Sequence, residues 1–284
     1  MIEQHKDISS IINKYDAFLI DLWGVVHDGQ TTYPSARNAL EELKAAEKTV
    51  IFLSNAPKRA FMAEKGLDYV GIPRDLYDHV VTSGEATYDF LKSGNHNYGN
   101  KYYIIAPDWD ANLLDGTSYK KVESPKDADF IVAVGFDNET STIADYMPQI
   151  NEAYKAGIPM ICANPDVEVI KITGERSLCA GVMAHEYKKL GGNVRYFGKP
   201  YKEVYEKCLS LIPKIPKAKI AAIGDNLETD VLGANNLNID SYFIAGGILG
   251  EKLGVDHGQL PEEKSLNNLC RECQIQPKAV LARL

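Results

Sequence analysis

The 284-residue chain is 45% hydrophobic and 25% charged, the make-up of a globular protein with room for one large domain or two modest ones. Its formal charge of −8 argues against a nucleic-acid binder, which would carry a basic face, but leaves phosphorylated small molecules open through local lysines and a cation. No apolar run reaches the length of a membrane span, Met1–Lys14 is polar and lacks a signal-peptide core, and the five scattered cysteines read as reduced thiols, so a cytoplasmic protein with no membrane partner is expected.

The first strand is predicted over Asp16–Trp23, whose segment Phe18-Leu19-Ile20 is apolar on both faces, as a buried parallel strand requires. It runs into Asp21. A turn-rich loop follows over Gly24–Thr32, then a helix over Ala36–Glu47 with Pro34 at its start, a second strand at Thr49–Leu53 ending in Ser54-Asn55, and a helix over Lys58–Tyr69. Strand, helix, strand, helix is the grammar of a parallel sheet with right-handed crossovers. The grammar then restarts. Strands are predicted at Val80–Thr82, Tyr102–Ala106, Phe130–Val134 and Met160–Ala163, with helices at Gly84–Leu91, capped by Ser83, and at Ile143–Lys155. A helix over Ala180–Leu190, a strand at Arg195–Phe197, a helix over Tyr201–Leu211, a strand at Lys219–Ile223, a helix over Thr229–Asn235 and a strand at Ser241–Ile244 complete the readable part. The tail from Gly250 to Leu284 is more polar and gives no clear pattern. The expected fold class is α/β: a doubly wound parallel-sheet core over 1–79 and 179–284, with a smaller α/β domain inserted over 80–178.

Four predicted strands end in polar groups: Asp21, Ser54-Asn55, Lys199 after the strand at Arg195–Phe197, and Asp225. In one parallel sheet their carboxyl ends could converge on one crevice. Two carboxylates suit a hard cation such as Mg2+. A lysine supplies a point charge for phosphate, and a hydroxyl before a helix can hold phosphate oxygens. That inventory suits phosphoryl transfer through an aspartyl-phosphate. For Asp21 alone, a mere strand cap would be an equal reading.

The segments Asp21-Leu22-Trp23-Gly24-Val25, Ser54-Asn55, Gly198-Lys199-Pro200 and Gly224-Asp225-Asn226-Leu227-Glu228-Thr229-Asp230, with Ala163-Asn164-Pro165-Asp166 on the insert, resemble the haloacid dehalogenase (HAD) superfamily, in its class IIA branch of NagD-like and p-nitrophenylphosphatase-like enzymes. The resemblance covers about residues 15 to 250. It implies a HAD-like core with an inserted cap that closes over the crevice and selects substrate. It implies that Asp21 is the nucleophile, that Ser54 and the backbone at Asn55 hold phosphate, that Lys199 pairs with phosphate and nucleophile, and that Asn164 lies at the substrate face. Mg2+ would be held by Asp21, the carbonyl of Trp23 and Asp225, with Asp230 supporting the site. The implied partner is a small phosphorylated metabolite, a sugar phosphate or nucleoside monophosphate among the choices, and a homodimer through the cap is an assembly seen among relatives.

The chain departs from the family at Trp23, where most members carry a second aspartate that protonates the leaving alkoxide and then activates water. An indole N–H does not titrate in the useful range. Slow or specialised hydrolysis of phosphate esters is therefore expected first, and an inactive module that binds a phosphorylated ligand second. His27 and Asp28 are the nearest titratable stand-ins, though a solvated turn is the simpler reading of both. Cys270-x-x-Cys273 has the spacing of half a zinc site but no second pair, and is read as ordinary thiols.

Overall fold

A computed structural model of the chain describes residues 2–138, 140–170 and 175–284. Fourteen strands appear among the described residues: β1 Glu3–His5, β2 Ala17–Ile20, β3 Thr49–Ser54, β4 His79–Thr82, β5 Lys101–Ile105, β6 Lys120–Lys121, β7 Phe130–Ala133, β8 Met160–Cys162, β9 Glu168–Ile170, β10 Arg176–Leu178, β11 Val194–Tyr196, β12 Ile220–Gly224, β13 Asp240–Ile244 and β14 Ala279–Leu281. The main helices are α1 Pro34–Ala45, α2 Ala60–Tyr69, α3 Ser83–Ser93, α4 Ile143–Lys155, α5 Ala180–Lys189, α6 Lys202–Leu211, α7 Leu232–Asn236, α8 Gly250–Leu253 and α9 Glu263–Cys273. Among the described residues no helix is long and apolar enough to cross a membrane.

The chain divides into two units. The first, 1–54, 61–81 and 199–284, holds a seven-stranded sheet in the order β1-β14-β13-β12-β2-β3-β4. Every residue of β2 and β12 is buried, which accounts for their lack of polar alternation: both faces are covered. The strands β12, β2 and β3 lie side by side and parallel, with Ile223 opposite Ile20 and Ile20 opposite Phe52. Their carboxyl ends therefore deliver Asp225, Asp21 and Ser54 to one edge of the sheet.

The second unit, 55–60 and 82–198, holds a parallel sheet in the order β11-β8-β7-β5-β6 and the antiparallel hairpin β9–β10. The expected boundary at 178 moves to Gly198: β11 pairs in parallel with β8, and α5 packs on β8, so 180–198 belongs to the insert. The short segment 55–60 also belongs there. Thr82, rather than Ser83, caps α3 by accepting the Glu85 N–H at 3.0 Å. The hydroxyl of Ser83 turns instead to the carbonyls of Asn55 and Ala56, at 2.7 and 2.9 Å.

The unpatterned tail is structured. α9 buries Leu266, Leu269 and Cys270, and β14 enters the first sheet between β1 and β13, with Val280 and Leu281 fully buried. Replacing Leu281 with Ala should cost 2–5 kcal/mol, roughly the loss for a large apolar core side chain; urea unfolding that shows no loss would remove the tail from the core.

Candidate active site

Asp21 leaves the end of β2, and its backbone N–H is still in the ladder, donating to the Ile223 carbonyl at 2.9 Å. Its Oδ1 accepts from the Leu22 N–H at 2.8 Å and lies 2.6 Å from the Lys199 Nζ. The same ammonium lies 2.7 Å from Asp230 Oδ1. Lys199 is 3% exposed, so these are ion pairs out of water, where a charge without a partner would cost several kcal/mol.

Asp225, one residue past β12, completes the group: one ligand atom from each of Asp21, Asp225 and Asp230 lies within 4.8 Å of the others. Burial, reinforced by the negative charges of Asp21 and Asp230, holds the Asp225 carboxyl well above the usual carboxylate range. Burial also pushes Asp230 up to about 6, against the pull of Lys199. Three carboxylates share one lysine here. Hard oxygen donors with excess negative charge suit Mg2+, so the donor set fits the cation expected from the sequence.

The approach to Asp225 depends on two glycines, Gly24 and Gly247. A Cβ on Gly24, whose φ is +80°, or on Gly247 would collide with the Asp225 carboxylate. The N–H of Ile248, in the loop after β13, donates to Asp225 Oδ2 at 2.8 Å. The signal was the Gly246-Gly247 pair directly after a strand. Asp230 is presented by a wide helical turn over Leu227–Val231, of the kind found at functional sites, and the Tyr205 hydroxyl donates to its carbonyl at 3.1 Å.

Ser54 ends β3 and is 7% exposed. Asn55 and Asn164 belong to the second unit and are buried there. The Asn55 carboxamide donates to Asp166 Oδ1 at 2.8 Å, and Asn164 Oδ1 accepts the Asp166 N–H at 3.2 Å, an Asx turn. The structure thus gathers Asp21, Lys199, Asp225 and Asp230 by direct geometry, and sets Ser54 on the neighbouring strand end.

The Trp23 indole is 36% exposed and meets the His27 ring edge-on, with centroids 5.8 Å apart. A Cβ on Gly29 would strike the indole, so the loop closes tightly over it. The solvated-turn reading holds for Asp28, whose carboxylate accepts from Gln30 N, Thr31 N and the Thr31 hydroxyl. His27 is likewise partly exposed, with Nδ1 accepting the Gly29 N–H at 3.0 Å within the same loop. The Cys270 thiol packs among apolar side chains, and burial pushes it up to about 11.

Two family models match the chain: haloacid dehalogenase-like hydrolase over residues 18–120, and HAD-hydrolase-like over 196–268. A solved haloacid dehalogenase-like hydrolase from Brucella suis is 30% identical, with a TM-score of 0.84 and full coverage of both chains. A structure described as a possible sugar phosphatase of the HAD superfamily, from Cytophaga hutchinsonii, is 20% identical with a TM-score of 0.81, over 100% of this chain and 99% of that one. An acid sugar phosphatase of Staphylococcus epidermidis is 26% identical over 236 residues, 82% of this chain and 88% of that protein. With the matching models falling on the very loops that carry Asp21, Lys199, Asp225 and Asp230, the chain belongs to the haloacid dehalogenase-like hydrolase family.

Proposed function

We propose that the protein is a Mg2+-dependent phosphatase of small phosphate esters, sugar phosphates among them, which works through a phosphoryl group carried by Asp21. The observation that carries this reading is the Lys199 ammonium held between Asp21 and Asp230 beside Asp225. A structural ion pair needs one carboxylate; three around one lysine leave negative charge that a divalent cation would balance, and that cation with Lys199 would in turn receive a phosphoryl anion. The acid sugar phosphatase relative favours sugar phosphates as the ester.

In this reading Asp21 attacks phosphorus and the ester oxygen departs with the bonding electrons. Ser54 Oγ and the Asn55 N–H hold phosphoryl oxygens, and Lys199 offsets their charge. Water then cleaves the acyl phosphate, which frees phosphate and restores Asp21. The side chains of Asp21, Asp225 and Asp230 and the Trp23 carbonyl would hold Mg2+, which when bound supplies positive charge against the phosphoryl oxygens.

Neither of the titratable neighbours on the loop after Asp21 is set up to give the departing oxygen its proton. Burial lowers His27 to about 4, so its imidazole is neutral at physiological pH and is no acid. Hydrogen bonds hold Asp28 below its ordinary range, and it stays ionised. Solvent or substrate must supply the proton, and the missing acid–base help is worth about 10²–10⁴ in rate.

Three measurements follow. Asp21→Asn should abolish phosphate release; retained turnover would remove the covalent route. Trp23→Asp should raise kcat on a sugar phosphate far more than on p-nitrophenyl phosphate, whose phenolate leaves without a proton, by up to about 10²; equal gains on both would show that leaving-group protonation is not limiting. For His27, the unfolded chain takes a proton near 6.5 and the folded chain only near 4, so stability is unaffected above pH 6.5 and falls as pH drops through that window. The loss should approach about 3 kcal/mol by pH 4 and be absent in His27→Gln. Urea unfolding at pH 7 and pH 5 reads it, and an identical pH dependence in both proteins would rule the effect out.

A further inference from the structure

The chain passes between its two units at residues the proposed chemistry uses: Ser54 ends one stretch of the first unit where Asn55 opens the second, and Gly198 ends the second where Lys199 resumes the first. Peptide continuity therefore makes Asn55 and Gly198 the immediate supports of the phosphate-holding hydroxyl and of the lysine. Within the second unit these two supports touch. Gly198, with φ +127°, packs so closely that a Cβ there would lie 2.6 Å from both Asn55 Oδ1 and the Pro165 ring. Asn55 is 4% exposed. Its carbonyl accepts from the Ser83 hydroxyl at 2.7 Å, and its carboxamide N–H donates to Asp166 Oδ1 at 2.8 Å. Asp166 is itself fixed at both backbone ends: its N–H donates to Asn164 Oδ1, and its carbonyl accepts the Gly181 N–H at 3.0 Å at the start of α5.

We propose that Asp166 is a positioning residue: through the Asn55 carboxamide, and through the Gly198 turn packed on that carboxamide, its carboxylate sets both loops that hold the phosphoryl group. A carboxylate acceptor makes a stronger, shorter hydrogen bond than a neutral one, and the Asx turn aims it before any ligand arrives. The Asn55 backbone and the Gly198 turn that leads into Lys199 are then held in place by one anchor. Reading Asn164-Pro165-Asp166 as a simple turn accounts for the Asn164 bond but not for the 2.8 Å bond that crosses to Asn55. The role rests on the phosphatase reading for its effect on catalysis, while its mechanical part stands on the hydrogen bonds alone.

The experiment compares wild type with Asp166→Ala, Asp166→Asn, Asn55→Ala and the Asp166→Ala/Asn55→Ala double variant. The readouts are KM and kcat on p-nitrophenyl phosphate, binding of inorganic phosphate with Mg2+ by calorimetry, and amide hydrogen exchange over 54–56 and 198–199. Asp166→Ala should weaken phosphate binding and raise KM by about tenfold, as loss of an outer support typically does, with kcat falling less. Exchange at both segments should quicken. Asp166→Asn keeps an acceptor and should stay within about threefold of wild type. The double variant should be no worse than the poorer single one, because both remove the same bond. Unchanged exchange at both segments in Asp166→Ala, failure of Asp166→Asn to restore binding, or additive losses in the double variant would overturn the role. Should wild type neither bind nor release phosphate, the phosphatase reading falls, and the exchange comparison still decides whether Asp166 couples the two loops.

Discussion

A lysine ammonium sealed among buried carboxylates is the constraint on which the rest of this structure depends. Lys199 lies within 2.7 Å of two aspartates, and a third lies within 4.8 Å of them. Removing such groups from water is expensive, and one ammonium cannot balance three carboxylates. The raised Asp225 and Asp230 carboxyls are the electrostatic sign of that imbalance. A fold selected for stability alone would have filled this edge of the sheet with apolar side chains. The excess negative charge makes sense as a site prepared for a cation, whose binding would relieve the repulsion that the free protein carries.

The sheet makes this cluster affordable in geometry. Three adjacent parallel strands end in step, so Asp21 and the residues roughly 30 and 200 positions further along, Ser54 and Asp225, reach one edge of the sheet, whereas Lys199 follows β11 of the other sheet and not a neighbouring strand. The close approaches of Gly24 and Gly247 help to exclude water from Asp225, which is 5% exposed. The Trp23 indole lies against Gly29 and edge-on to His27, so under the phosphatase proposal the loop after Asp21 carries apolar surface and no acid at that position. Under the phosphatase proposal the site is equipped to take a phosphoryl group and poorly equipped to deliver protons.

Most of the fold was legible in the sequence because its central strands are uniformly apolar and its strand-helix alternation is regular. The site was legible for the same reason: polar residues that end apolar runs are conspicuous, and four of them carried a family pattern. What was hidden needed contacts distant in sequence. Glu3–His5 is polar and becomes a strand only by pairing with Ala279–Leu281 near the other end of the chain. The segment 180–198 reads as ordinary helix and strand, and only its pairing with Met160–Cys162 assigns it to the insert. Leu266, Leu269, Cys270 and Cys273 do follow a helical period, a signal that the polar setting of the tail masked. The close approach of Gly247 to Asp225 joins segments distant in sequence, which no local spacing reveals.

The central claim is that Asp21 makes the attack, and the most direct measurement is mass spectrometry of protein quenched in acid during turnover of a phosphate ester with Mg2+. The account predicts one phosphoryl group on the peptide that contains Asp21, lost when the quenched protein is treated with hydroxylamine. Turnover without any phosphorylated peptide, or with the group on a different residue, would contradict it.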